Sequence, residues 1–152
     1  MTAIQSAFLR DANRVPIAID GLVETKSVTY AALTTGATGA TKLFDVTGTV
    51  LVTLFAVCSA DLTSDGAATV EAGITGNTAS LIPLTTATTI DSGEIWNSAT
   101  PASVVSFGTN TKRILSGTDI YQTIATEAVS GGTLAYYCVW TPVSSDGLVT
   151  AA

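Results

Sequence analysis

The chain of 152 residues contains no histidine, and this absence removes more chemistry than any other. Without imidazole there is no Ser-His-Asp triad, no Cys-His pair and no histidine-ligated zinc, and the side chain that ordinarily titrates near neutrality is missing. Charge is scarce as well: Asp, Glu, Lys and Arg make up 12% of the residues, against a usual share of about 25%. Of the two signs the bases are scarcer, six against twelve acids for a net charge of −6. Clustered Lys and Arg are what phosphate neutralisation requires, so the composition argues against a nucleic-acid partner. Long hydrophobic runs are missing too. The longest, residues 48–60, is shorter than the roughly 20 residues of a membrane helix and is rich in β-branched side chains, so no membrane partner is expected. The opening Met1-Thr2-Ala3-Ile4-Gln5-Ser6 has neither the basic start nor the apolar stretch of a secretion signal, and secretion by that route is not expected.

Hydrophobic residues are plentiful, at 47% with a mean hydropathy of +0.47. A surface with so little charge does little to keep copies apart, which points to self-association. The length fits one domain able to bury a core without metals or disulfides. Strand signals dominate, in runs at 44–46, 49–57, 69–74, 80–84, 94–96, 104–107, 120–125 and 134–140, separated by turn pairs such as Asp65-Gly66 and Gly76-Asn77. No 11-residue window joins helix formers to a 3.6-residue apolar stripe. The expected fold is therefore all-β, an antiparallel β-sandwich of about eight strands with jelly-roll topology favoured.

Alternation locates the core. In the run 120–125, Ile120, Gln122 and Ile124 share one face. In the run 134–140, Leu134, Tyr136, Cys138 and Trp140 share one face and Ala135, Tyr137 and Val139 the other, so both faces are apolar. Such a strand is either central or meets another subunit, and Tyr137, Val139 and Trp140 are the candidate interface residues.

The amino-terminal part differs in character. Residues 1–42 carry Arg10, Arg14, Lys26 and Lys42 against Asp11, Asp20 and Glu24, a net of +1, while residues 43–152 carry −7. With the small-residue run 34–41 read as a flexible connection, the expected division is an extended arm at 1–42 and a sandwich body at 43–152. Arg10, Arg14, Pro16, Ile17 and Lys26 are the candidate docking residues of that arm.

Sites of chemistry are weak. The glycines of residues 36–42 are wrongly spaced for a phosphate loop. Asp91 with Glu94, or Asp61 with Asp65, could pair as a glycosidase's carboxylates or contribute to a calcium site, but acids beside Ser and Gly also cap tight turns, and that is the expected role of Asp61, Asp65, Asp91 and Asp146. Trp96 and Trp140 are candidates for a sugar-stacking platform or for core packing. Cys58 and Cys138 match no metal spacing and are read as buried thiols, with a cross-strand disulfide the alternative. No catalytic, cofactor or metal residue is expected.

Four phrases have a familiar cast: residues 10–17 (Arg-Asp-Ala-Asn-Arg-Val-Pro-Ile), 43–48 (Leu-Phe-Asp-Val-Thr-Gly), 117–120 (Gly-Thr-Asp-Ile) and 140–147 (Trp-Thr-Pro-Val-Ser-Ser-Asp-Gly). In them the chain resembles small virion structural proteins of tailed bacteriophages. The resemblance implies a non-enzymatic β-sandwich that decorates or cements a capsid, often as a trimer whose terminal arm grips neighbouring subunits. Its partner would be the major capsid protein or another virion protein, and its place the virion, assembled in the host cytoplasm. A receptor- or glycan-binding module of a tail, neck or fibre is the alternative.

Overall fold

A computed structural model describes residues 21–108 and 111–152. The described chain forms β1 (Leu22–Thr29), β2 (Gly39–Thr47), β3 (Thr49–Thr63), β4 (Thr69–Ile74), β5 (Asn77–Thr86), β6 (Ile95–Trp96), β7 (Arg113–Ser116), β8 (Ile120–Ala125), β9 (Gly131–Pro142) and β10 (Leu148–Ala151), with one 3₁₀ turn at Ala87–Thr89. They make the expected antiparallel two-sheet sandwich. One sheet runs β1-β9-β3, with the far edge of β3 shared by β6 and β7; the other runs β10-β2-β8-β4-β5. Apart from the β4–β5 hairpin and the β6–β7 pair on one edge, each strand is followed by one in the opposite sheet.

Alternation builds the core between the sheets. Val50, Val52, Leu54, Ala56 and Cys58 of β3 and Leu134, Tyr136, Cys138 and Trp140 of β9 turn inward, against Ile120 and Ile124 of β8 and Val70 and Ala72 of β4. In β2 the ladder to β8 shifts between Lys42 and Phe44, and this bulge lets two successive residues, Leu43 and Phe44, both be fully buried. The tight passage from β2 to β3 falls on Gly48, whose φ of +62° is disfavoured for residues with a Cβ.

The boundary drawn at residue 42 does not divide arm from body. β1 pairs along its whole length with β9, and β2 begins at Gly39. The run 34–41 is tied into the fold: Thr34 and Gly36 N–H groups donate to the Ala31 carbonyl, and Thr35 Oγ1 donates to the Thr29 carbonyl at 2.6 Å. Lys26 therefore belongs to a sheet strand rather than to an arm, and its ammonium donates to the Ala152 carbonyl. Beside it the Ala151 N–H donates to Glu24 at 3.4 Å, so the two side chains join β1 to β10 across the gap between sheets. Arg10, Arg14, Pro16 and Ile17 lie outside the described residues. The strand expected at 104–107 does not form; these residues lie in the connection between β6 and β7. The short strands β7 and β10 carried too little alternation to be read from sequence.

Among the described residues two buried positions are polar, Thr85 and Gln122. Gln122 is fully buried, and its Oε1 accepts hydrogen bonds from the Tyr30 and Tyr136 hydroxyls, each at 2.8 Å. Its Nε2 has no partner among the described residues, a desolvation penalty that offsets part of what the two bonds contribute. Burial pushes both tyrosine pKa values well above the usual phenol range. At one end of the second sheet, Lys42 bridges Asp45 and Asp119, both at 2.9 Å, and Asp119 also accepts the Val46 N–H at 2.9 Å.

Replacing Gln122 by Met should cost roughly 1–3 kcal/mol, since of the two hydroxyls, 3.2 Å apart, one can donate to the other while the second buried O–H loses its acceptor, offset in part by removal of the orphan amide donor. Tyr136→Ala, by contrast, should cost roughly 3–5 kcal/mol by cavity formation. Urea titration of both variants checks this. The hydrogen bond from Lys42, then that from Val46, holds the Asp119 carboxyl below its ordinary value. Its contribution is present above the unfolded carboxyl pKa of about 4 and is lost as pH falls through the lower folded value. Acid titration of stability should therefore fall less steeply below about pH 4 in Asp119→Asn than in the wild type.

Candidate functional site

The inward set of β3 and β9 dictates what faces outward. The register aligns Ser27, Ala135 and Val57 in one row, Thr25, Tyr137 and Phe55 in the next, and Val23, Val139 and Thr53 in a third. A fourth row joins Thr141, Leu51 and Ile114 of β7. No Asp or Glu occupies any of these outward positions. Val23 is 56% and Ile114 67% exposed. An antiparallel sheet with one solvated face normally shows polar residues there, so this face has the character of a surface that is covered in use.

Its relief is uneven. Phe55 and Tyr137 stack with ring centroids 5.2 Å apart and planes 9° from parallel, and Phe107 leans edge-on against Phe55 at 5.7 Å. These rings form a ridge. Beside it lies a groove of about 310 Å³ lined by Leu51, Thr53, Phe107, Lys112, Val139 and Thr141, among others. Lys112 is the single charged side chain in the lining. Among the described lining residues there is no carboxylate or carboxamide to hold hydroxyl groups, and this part of the groove suits apolar side chains better than sugars.

Of the interface residues expected from sequence, Tyr137 and Val139 lie on this face. Trp140 does not: one residue on, it points the other way and is only 7% exposed, within the core. Trp96 is fully buried and its indole N–H donates to Thr85 Oγ1 at 2.9 Å, so neither tryptophan is available as a stacking platform. Phe55 and Phe107 escaped the sequence reading. The signal for Phe55 was there, since Leu51, Phe55 and Val57 make the second face of β3 apolar just as Tyr137 and Val139 do for β9.

The carboxylates serve local structure. Glu94 accepts the Asp91 N–H at 3.0 Å, Asp61 accepts the Ser92 N–H at 2.6 Å, and Asp146 accepts the Ser144 hydroxyl at 2.5 Å. Among the described residues no three His, Cys, Asp or Glu side chains gather as a metal site. Both cysteines are free. Cys58 stands opposite Leu134 and Cys138 opposite Leu54, four residues out of register, which rules out the cross-strand disulfide. Burial pushes the Cys138 thiol up to about 12. Burial, with smaller contributions from Asp61, Asp91 and Glu94, raises that of Cys58.

An aromatic disulfide reagent at pH 8 should accordingly label neither thiol in the folded chain and both after denaturation, because the thiolate is the attacking form. Labelling of the native protein within minutes would mean that β3 or β9 opens readily. Comparison of the chain with family models, with curated proteins and with solved structures finds no match in any of the three.

Proposed function

We propose that this chain is a non-enzymatic virion structural protein of the capsid decoration or cement type, which stabilises a phage head by binding between capsid subunits. The observation that carries the self-association part of this reading is the acid-free, largely apolar outer face of the β1-β9-β3 sheet in a chain of net charge −6. The virion part rests on the resemblance of residues 10–17, 43–48, 117–120 and 140–147. Catalysis finds little support: histidine is absent, the thiols are buried, and Asp61, Glu94 and Asp146 are engaged in turns.

The strand order supports a jelly roll. Taking β6 and β7 as one interrupted strand, one sheet reads first-eighth-third-sixth and the other second-seventh-fourth-fifth, with β10 added at the edge, as in an eight-stranded double Greek key. In this reading the partner is the major capsid protein or another virion protein, and Arg10, Arg14, Pro16 and Ile17 supply a docking contact from the amino-terminal segment. Many repeated contacts on a shell add up by avidity, so each one is weak on its own. Self-association belongs to the same proposal; the threefold order comes from the resemblance alone and has no residue behind it.

Cryo-electron microscopy of particles that co-purify with the chain tests this. Density of this sandwich on the shell between capsid subunits is the expected result, with occupancy falling when residues 1–20 are deleted. Density confined to a tail tip, or none on any particle, would overturn it, and unchanged occupancy after the deletion would remove the docking role of the segment.

A further inference from the structure

The ridge and the groove lie side by side on one face. The ridge row, Tyr137 and Phe55, and the groove row, Val139 and Thr53, are two residues apart along β9 and β3, so about 7 Å separates them. A two-fold axis in the plane of contact, across the strands and midway between these rows, sets the ridge of each copy over the groove of the other. Every contact is then made twice, residue i on j and j on i, as a two-fold interface requires. A groove of about 310 Å³ has room for a projecting tyrosine ring. We infer that a second copy of this chain occupies the outer face of the β1-β9-β3-β7 sheet, packed face to face with strands reversed and with Tyr137 of each copy seated in the Leu51–Val139 groove of the other. This rests on the association reading given above and names the partner of that face.

Area and charge both favour a like copy. Over residues 50–57 the three strands β1, β9 and β3 span roughly 14 by 26 Å, and β7 adds its short pairing with Thr49–Val52, for about 440 Å² in projection before side-chain relief and rim are added. A standard interface covers about 800 Å² of accessible surface per partner, and the flat projection supplies just over half of that before ridge, groove and rim add to it. Two copies of net charge −6 repel one another generally, so they must meet where acids are missing. The four outward rows between Leu51 and Val57 of β3 carry none, Asp61 lying beyond them near the end of β3, and the groove adds a cation, Lys112.

Sedimentation equilibrium of the full chain from about 1 µM to about 1 mM tests the pairing. A monomer–dimer equilibrium is expected. Val139→Glu, which places a carboxylate in the groove, should weaken it by about 100-fold or more, and Tyr137→Ala by about tenfold or more. Thr53→Lys gives a second groove variant should Val139→Glu prove unfolded by circular dichroism. Val104→Glu, at a residue 85% exposed outside this sheet, should leave the equilibrium unchanged. A chain monomeric throughout, or an oligomer indifferent to the folded groove and ridge variants, would overturn the inference. Shell density in the microscopy above is independent of that outcome, because a monomer on the capsid keeps the decoration reading while removing the pair, and a dimer absent from every particle does the reverse.

Discussion

The long antiparallel ladder between β3 and β9 is the constraint on which the rest of the molecule depends. It runs from Val50 opposite Pro142 to Thr63 opposite Gly131, and both strands are apolar on both faces along its middle. Inward, the ladder supplies the half of the core that the second sheet closes over, including Tyr136, Trp140 and both cysteines. Outward, it supplies Phe55, Tyr137 and Val139. Any change of register by one residue would exchange these two sets, burying Tyr137 and expelling Tyr136. The buried hydrogen bonds of Tyr136 and Tyr30 to Gln122 tie that register to β8 in the opposite sheet, because the glutamine oxygen has no water to turn to if the hydroxyls move away.

Much of the fold could be read from the sequence, and the reason is period two. The expected strands at 69–74 and 120–125 coincide with β4 and β8, where β-branched residues alternate between clear turn signals. β3 and β9 were located but cut short, since their ends, Ser59 to Thr63 and Gly131 to Thr133, are polar or small apart from Leu62 and owe their pairing to the partner strand rather than to their own pattern. Pairing also explains the larger miss. Residues 22–29 contain Glu24 and Lys26 and lack a clean apolar face, so only the ladder to β9 and the reach of those two side chains to β10 make them a strand. The candidate surface was half legible: β9 announced its second apolar face, whereas the aromatic that completes it comes from β3 and from a connection whose course over Phe55 no local rule specifies.

Two features limit side-chain chemistry near neutral pH among the described residues. The lack of histidine leaves no imidazole to exchange protons near neutrality, and the cysteines, raised in pKa by burial, do not substitute for it as nucleophiles. One acid of each candidate pair, Glu94 and Asp61, accepts a backbone N–H of the turn at residues 91–94. What the described chain offers its surroundings is a sheet with an acid-free, largely apolar and sculpted outer face.

The position of β9 also governs when this architecture can come into being. It lies between β1 and β3, yet it is the last but one strand in the chain. As the chain is made, β1 and β3 emerge without the strand that joins them. Their ladder edges and the apolar faces of β3 stay unsatisfied until residues 131–142 have left the ribosome. Pairings this distant in sequence, such as Leu22 with Trp140, close slowly. The first sheet therefore forms only after residues 131–142 have emerged, and in that interval the nascent strands of neighbouring chains are exposed to one another.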